Sequence, residues 1–163
     1  MNYLHYLEKE IHSVIAATVD DNGLPVTCAI DIMDSDEKGL YFLTAKGKGF
    51  YHRLKKNEYV ALTGMHAGDT LSRAAVSVRG KVQEIGKTPL LRLFEKNPYM
   101  NEIYPSEESR QALTVFYLYE GSGEWFDLSK KPIERASFTI GSKQEEKPGY
   151  EITQKCNGCR TCQ

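Results

Sequence analysis

The chain has 163 residues, 40% of them apolar and 26% charged, which is enough to bury one continuous core without disulfide staples. Its 21 basic and 22 acidic residues leave a net charge of −1, which excludes a dedicated nucleic-acid binder built on excess Lys and Arg. No apolar run approaches the ~20 residues that span a bilayer. Met1 to Tyr6 also has neither the basic start nor the apolar centre of a signal peptide, so a cytoplasmic location is expected.

Tyr3, Leu4, Tyr6, Leu7 and Ile11 recur at helical spacing and predict a short amphipathic helix over residues 1–12. The period then changes to that of strands. Ser13 to Val19 is β-branched and apolar, Asp21-Asn22-Gly23 supplies hairpin chemistry, and Pro25 to Ile32 reads as the returning strand. A polar turn from Asp34 to Gly39 leads to the strand Leu40–Thr44, and a Gly/Lys loop from Ala45 to Gly49 opens a helix over Phe50–Lys56 ended by Asn57. Tyr59 to Gly64 is a further strand. Ala75 to Ile85 alternates as a long one, with Gly80 predicting a bulge or bend of the kind that closes barrels. Thr88-Pro89 opens a helix through Leu90, Leu91, Leu93 and Phe94, and a second helical stretch covers Glu107 to Gln111. Leu113 to Tyr119, Glu124 to Leu128 and Ile133 to Ile140 read as strands, the first two separated by a turn at Gly121-Ser122-Gly123. Six or seven strands joined mostly by short turns predict a mainly β fold, a small antiparallel barrel with flanking helices, over residues 1–140. Residues 141–149 have linker composition, and residues 150–163 form a separate tail.

Leu43 to Phe50 is the most informative segment: a strand ends, a loop rich in Gly and Lys follows, and a helix begins. Glycines let backbone N–H groups approach an anion, the helix N-terminus carries partial positive charge, and Lys46 and Lys48 both face one phosphate if the loop is extended. The Thr44 hydroxyl is a further candidate donor. A solvated turn uses the same residue types, and neither GxxxxGK(S/T) nor GxGxxG is present.

Three stretches carry a resemblance: Ala17 to Pro25 with its Asp-Asn-Gly hairpin, Asp36 to Thr44 with its Asp-Glu-Lys-Gly turn into an aromatic-rich strand, and Leu54 to Asn57. In order and spacing they resemble the pyridoxamine 5′-phosphate oxidase-like FMN-binding proteins, extending weakly to Val78–Val82 and covering roughly residues 10–140. The resemblance implies an FMN-binding split barrel. It places Cys28, Ala29 and Ile30, running to Met33, along the isoalloxazine ring, and Leu43, Thr44, Lys46, Gly47, Lys48, Gly49 and Phe50 around the ribityl phosphate. It also implies a homodimer with FMN in the interface, to which the second subunit contributes Trp125, Phe126 and Arg135. Core packing is the competing reading of Trp125 and Phe126, and a surface ion pair that of Arg135.

The chain departs from the vitamin oxidases within that family. They carry an Arg-Lys pair at the positions of Gly49 and Phe50, an Arg at that of Cys28, and an RLHDR-like segment of which Ile133 to Phe138 keeps only Arg135. Lys46 and Lys48 are read as supplying the missing charge. Pyridoxamine-phosphate oxidation itself is therefore not expected. The likeness is to smaller members, among them those resembling nitroimidazole-resistance proteins, and implies an FMN-dependent oxidoreductase reducing a small organic acceptor. A non-catalytic flavin- or haem-binding module is the alternative, and FAD or a deazaflavin in place of FMN stays open.

Cys28 stands alone, whereas Cys156, Cys159 and Cys162 form C-x2-C-x2-C, the opening of a bacterial ferredoxin ligand run. That run needs a fourth Cys, so an iron–sulfur cluster is expected only if the natural chain continues past Gln163. A three-thiolate zinc site, a redox switch or free thiols are the other readings. His5, His12, His52 and His66 lack metal-ligand spacing, and His5 and His12 are expected at the surface of the first helix.

Overall fold

The computed structural model describes residues 1–141. The first helix, α1 (Tyr3–Tyr6), runs on as a π-helical turn over Leu7–Ile11, and Asn2 caps it by accepting the His5 N–H at 3.1 Å. It stops at His12, whose φ of +62° breaks the helical path and sends the chain into the sheet. Eight strands follow: β1 (Ser13–Val19), β2 (Pro25–Asp31), β3 (Asp34–Asp36), β4 (Gly39–Ala45), β5 (Tyr59–Met65), β6 (Ala74–Gly86), β7 (Leu113–Asp127) and β8 (Glu134–Ile140). The helix α2 (Gly49–Asn57) connects β4 to β5, and three short helices lie between β6 and β7: α3 (Leu90–Lys96), α4 (Met100–Ile103) and α5 (Glu107–Arg110).

The strands form one antiparallel sheet in the order β2-β1-β5-β6-β7-β4-β3, with β8 also on β7. Inward side chains from β1, β4, β5, β6, β7 and β8, among them Val14, Phe42, Leu62, Val78, Phe116 and Ile140, meet in one buried cluster. The sheet is therefore rolled around a common core, the split barrel expected from the sequence, and α1 covers it through Leu4 and Leu7. A second cluster of Met33, Leu93, Phe94, Met100, Leu113 and Val115 packs α3 and α4 against the opposite face of the sheet.

The β1–β2 hairpin forms with the expected turn. The Asp20 carboxylate accepts the backbone N–H groups of Asn22 (2.8 Å) and Leu24 (2.9 Å), and Gly23 takes φ +77°. Two expectations fail. The segment Asp34–Gly39 is only partly a turn, because Asp34 to Asp36 pairs with β4 as β3. Gly121-Ser122-Gly123 is no turn at all: β7 runs unbroken for 15 residues from Leu113 to Asp127. Its glycines serve close packing instead. A Cβ on Gly121 would lie 2.2 Å from the Arg79 carbonyl oxygen, and its partner Gly80 meets the Glu120 carbonyl at 2.3 Å. The irregularity read at Gly80 falls one residue on, between Lys81 and Val82, where Tyr119 is the extra residue on β7 and bends the pair.

This crossing sets a testable cost. Gly121→Val should destabilise the fold by about 3 kcal/mol through forced displacement of the β6 backbone. Gly47→Ala, whose added carbon has nothing within 4 Å, should stay within about 0.5 kcal/mol. Urea denaturation of the two variants against the parent measures both.

Candidate functional site

The loop after β4 leaves the sheet at Ala45, which pairs with Leu113, and reaches α2 at Gly49. Lys46, Gly47, Lys48 and Gly49 are exposed, Gly47 borders open space, and Lys48 occupies the N-cap position without a side-chain capping bond. The first-turn amides of α2 are thus uncovered by side chains, the arrangement that accepts an anion. Thr44 and Phe50 are buried and Leu43 is half-buried, so these three shape the loop from beneath.

The two lysines do not act alike. Lys46 points to Glu84 of β6 (3.8 Å), which also takes Lys55 (3.2 Å) and accepts hydrogen bonds from Thr114 (2.7 Å) and Tyr51 (3.3 Å). Burial works against ionisation of Glu84, but the bonds from Thr114, Lys55 and Tyr51 and the Lys55 charge outweigh it and hold the carboxyl below its ordinary range. Among the described residues Lys46 thus has one carboxylate within ion-pair reach, which it shares with Lys55.

Lys48 lies on the other side, where it and Arg53 of α2 both act electrostatically on Cys28. Arg53 sits four residues after Gly49 on the same helix face, and a Cβ at Gly49 would meet its Nη1 at 3.0 Å. Its Nε donates to Thr18 Oγ1 at 2.8 Å. Among the described residues neither Lys48 nor Arg53 has a carboxylate within ion-pair distance. Cys28 and Ile30 of β2 are half-buried and face the core, and Ala29 is exposed on the outer face. Burial pushes the Cys28 thiol up against the opposing pull of Arg53 and Lys48, so it stays protonated near neutrality.

Trp125 and Arg135 come together elsewhere. With Ala75, Ser77, Phe126 and Ser137 they line a groove of about 470 Å³ across β6, β7 and β8. The Trp125 side chain is only 4% exposed and meets Tyr6 edge-on (centroids 5.0 Å), so it forms the groove floor rather than offering a free ring face. Arg135 makes no ion pair among the described residues; its guanidinium lies 5.1 Å over the Phe126 ring. The loop adjoins Leu113 and the groove adjoins Trp125, 12 residues along the same strand. That is roughly 40 Å of extended chain, so the two features occupy opposite ends of β7.

Sequence reasoning missed Arg53, Thr18 and Glu84. The Gly49–Arg53 spacing was the one available signal; the other two join the site by long-range pairing. It also placed His12 at the helix surface, whereas His12 Nε2 contacts the Tyr99 hydroxyl at 2.7 Å and that hydroxyl donates to Asp31 at 2.8 Å. Cys156, Cys159 and Cys162 lie outside the described residues, and among the described residues no group of three His, Cys, Asp or Glu is placed to hold a metal ion. No described helix is long and apolar enough to cross a membrane.

Residues 4–120 match the family model described as pyridoxamine 5′-phosphate oxidase, and the chain belongs to that family. A pyridoxine/pyridoxamine 5′-phosphate oxidase of Escherichia fergusonii is 31% identical over 91 residues, 56% of this chain and 40% of the relative, so the match spans well under half of that enzyme. Among solved structures, a NimC/NimA family protein from Clostridium acetobutylicum superposes with a TM-score of 0.69 at 19% identity, covering 85% of this chain and 90% of the other. A heme-binding protein from Mycobacterium smegmatis gives 0.65 at 12% identity over 85% and 57% of the two chains. A pyridoxamine 5′-phosphate oxidase-related, FMN-binding protein from Nostoc punctiforme gives 0.55 at 12% identity over 85% and 90%. These likenesses establish the fold.

The Glu84 network carries a pH signature. A carboxyl whose folded pKa lies below the ordinary glutamate value of 4.5 contributes its stability fully above pH 4.5 and loses it as pH falls through the lower folded value. Glu84→Gln should therefore cost about 2 kcal/mol at pH 7, and the difference from the parent should shrink progressively below pH 4.5. Chemical denaturation at a series of pH values reads this directly.

Proposed function

We propose that the protein is a cytoplasmic, homodimeric flavoprotein that binds FMN and uses it to reduce a small organic acceptor. The observation that carries this reading is the pairing of two incomplete half-sites in a family frame. One is the uncovered loop at Lys46–Gly49 with Lys48 and Arg53 beside Cys28; the other is the groove at Trp125, Phe126 and Arg135. Opposite ends of β7 cannot serve one cofactor within a single chain, but two copies related by a two-fold axis can bring the loop of one to the groove of the other. The outer face between them suits close approach. Ala61, Thr63, Ser77 and Ser122 are small, and Arg79 and Glu124 supply both signs of charge for a self-complementary contact.

The residues present fit a flavin phosphate. Gly47 and Gly49 leave the amides accessible, Lys48 and Arg53 supply positive charge, and Cys28, Ala29 and Ile30 lie on β2, the terminal strand of the sheet order, with Ala29 facing out. Bound FMN would supply hydride or electron transfer, and the chain would contribute binding, orientation and exclusion of water. No side chain is assigned as acid or base. The absence of the Arg-Lys pair and of the RLHDR-like segment argues against the vitamin phosphate as substrate.

The test is the absorption spectrum of the purified protein, with its mass in solution. A flavin band near ~450 nm, released as FMN at one per chain from a dimer, is expected. Protein that carries no flavin and takes up none when FMN is added would refute the reading, and a Soret band in its place would favour haem. Reduction of the bound flavin by NADH or NADPH with turnover of an acceptor would establish the enzyme over a sensor.

A further inference from the structure

The groove between the β1–β2 turn and α2 gathers charges of both signs. It measures about 310 Å³ and is lined by Asp20, Asp21, Gly49, His52, Arg53 and Lys56. Its charges are not equivalent. Lys56 is engaged by Asp21 at 2.6 Å. The Asp20 carboxylate is fixed by its two turn amides, one oxygen accepting both. Arg53 is fixed by a different device: Thr18, a buried threonine inside the barrel wall, accepts the guanidinium Nε–H, and its own hydroxyl points toward the Val26 carbonyl at 3.5 Å. Holding Nε leaves the two terminal nitrogens free, with Nη1 directed over the Cβ-less edge of Gly49. A guanidinium pinned through Nε while its fork faces an open backbone is set to receive a two-oxygen anion.

We propose that Arg53, positioned by Thr18, is the residue that reads the cofactor's phosphate in this chain. The inference rests on the flavin reading above and goes beyond it. Arg53 supplies from the second turn of α2 the charge that the oxidases place at the start of that helix. A monoester presents its free oxygens to Arg53 and Lys48 and ends there.

The experiment measures dissociation constants of FMN and riboflavin by flavin fluorescence for the parent chain and for Arg53→Gln and Thr18→Val. Arg53→Gln should weaken FMN about 10- to 100-fold while leaving riboflavin, which lacks the phosphate, within about twofold. Thr18→Val should weaken FMN less, in the same phosphate-dependent manner. Equal losses of FMN and riboflavin in Arg53→Gln, or no loss of FMN, would overturn the assignment of Arg53. A parent chain that binds neither flavin would instead refute the flavin reading itself.

Discussion

The architecture hangs on one continuous strand with two sets of neighbours. β7 pairs with β6 along nearly its whole length, while its other edge is shared, Leu113 to Leu118 with β4 and Gly121 to Asp127 with β8. The handover lies where Gly80 and Gly121 face each other and Tyr119 bulges, and side chains at those glycines would collide with the opposing backbone. The bend lets one strand serve two parts of the barrel wall. It also separates the loop after β4, carried by the start of β7, from the Trp125–Arg135 groove, carried by its end.

The charge around the loop follows from this layout. β6, held alongside β7, brings Glu84 under the loop, where Thr114 of β7 and Tyr51 of α2 fasten its carboxylate and Lys46 and Lys55 gather on it. That cluster anchors α2 to the sheet. On the other side of the loop, Lys48 and Arg53, which have no carboxylate within ion-pair distance among the described residues, act electrostatically on Cys28.

Much of the fold was legible because its signals are local. The Asp-Asn-Gly turn, the alternation of Val76, Val78 and Val82, and the switch from helical to strand period after residue 12 each depend on neighbours in sequence. The Gly-Ser-Gly segment misled because glycine has two uses, positive φ in a turn and absence of Cβ at a crossing, and only the partner strand distinguishes them. The loop at Thr44–Phe50 was likewise visible as a strand–Gly/Lys–helix pattern, but the division of labour between Lys46 and Lys48 was not, since Glu84 lies far along the chain. Arg53 shows the same limit: its helical spacing from Gly49 is local, whereas the hydrogen bond to Thr18 that aims it spans 35 residues. The resemblance to the oxidase family is what makes the missing Arg-Lys pair at Gly49 and Phe50 visible in the sequence.

The central claim is that each flavin site is assembled from the loop of one subunit and the groove of another. Mixed dimers test it most directly. One subunit would carry Arg53→Gln, the other Arg135→Ala, each with a different affinity tag so that heterodimers can be isolated. The claim predicts one restored site per heterodimer, binding FMN with parental affinity, and one doubly impaired site. Two equally weakened sites, with affinities no better than those of the two parent homodimeric variants, would contradict it.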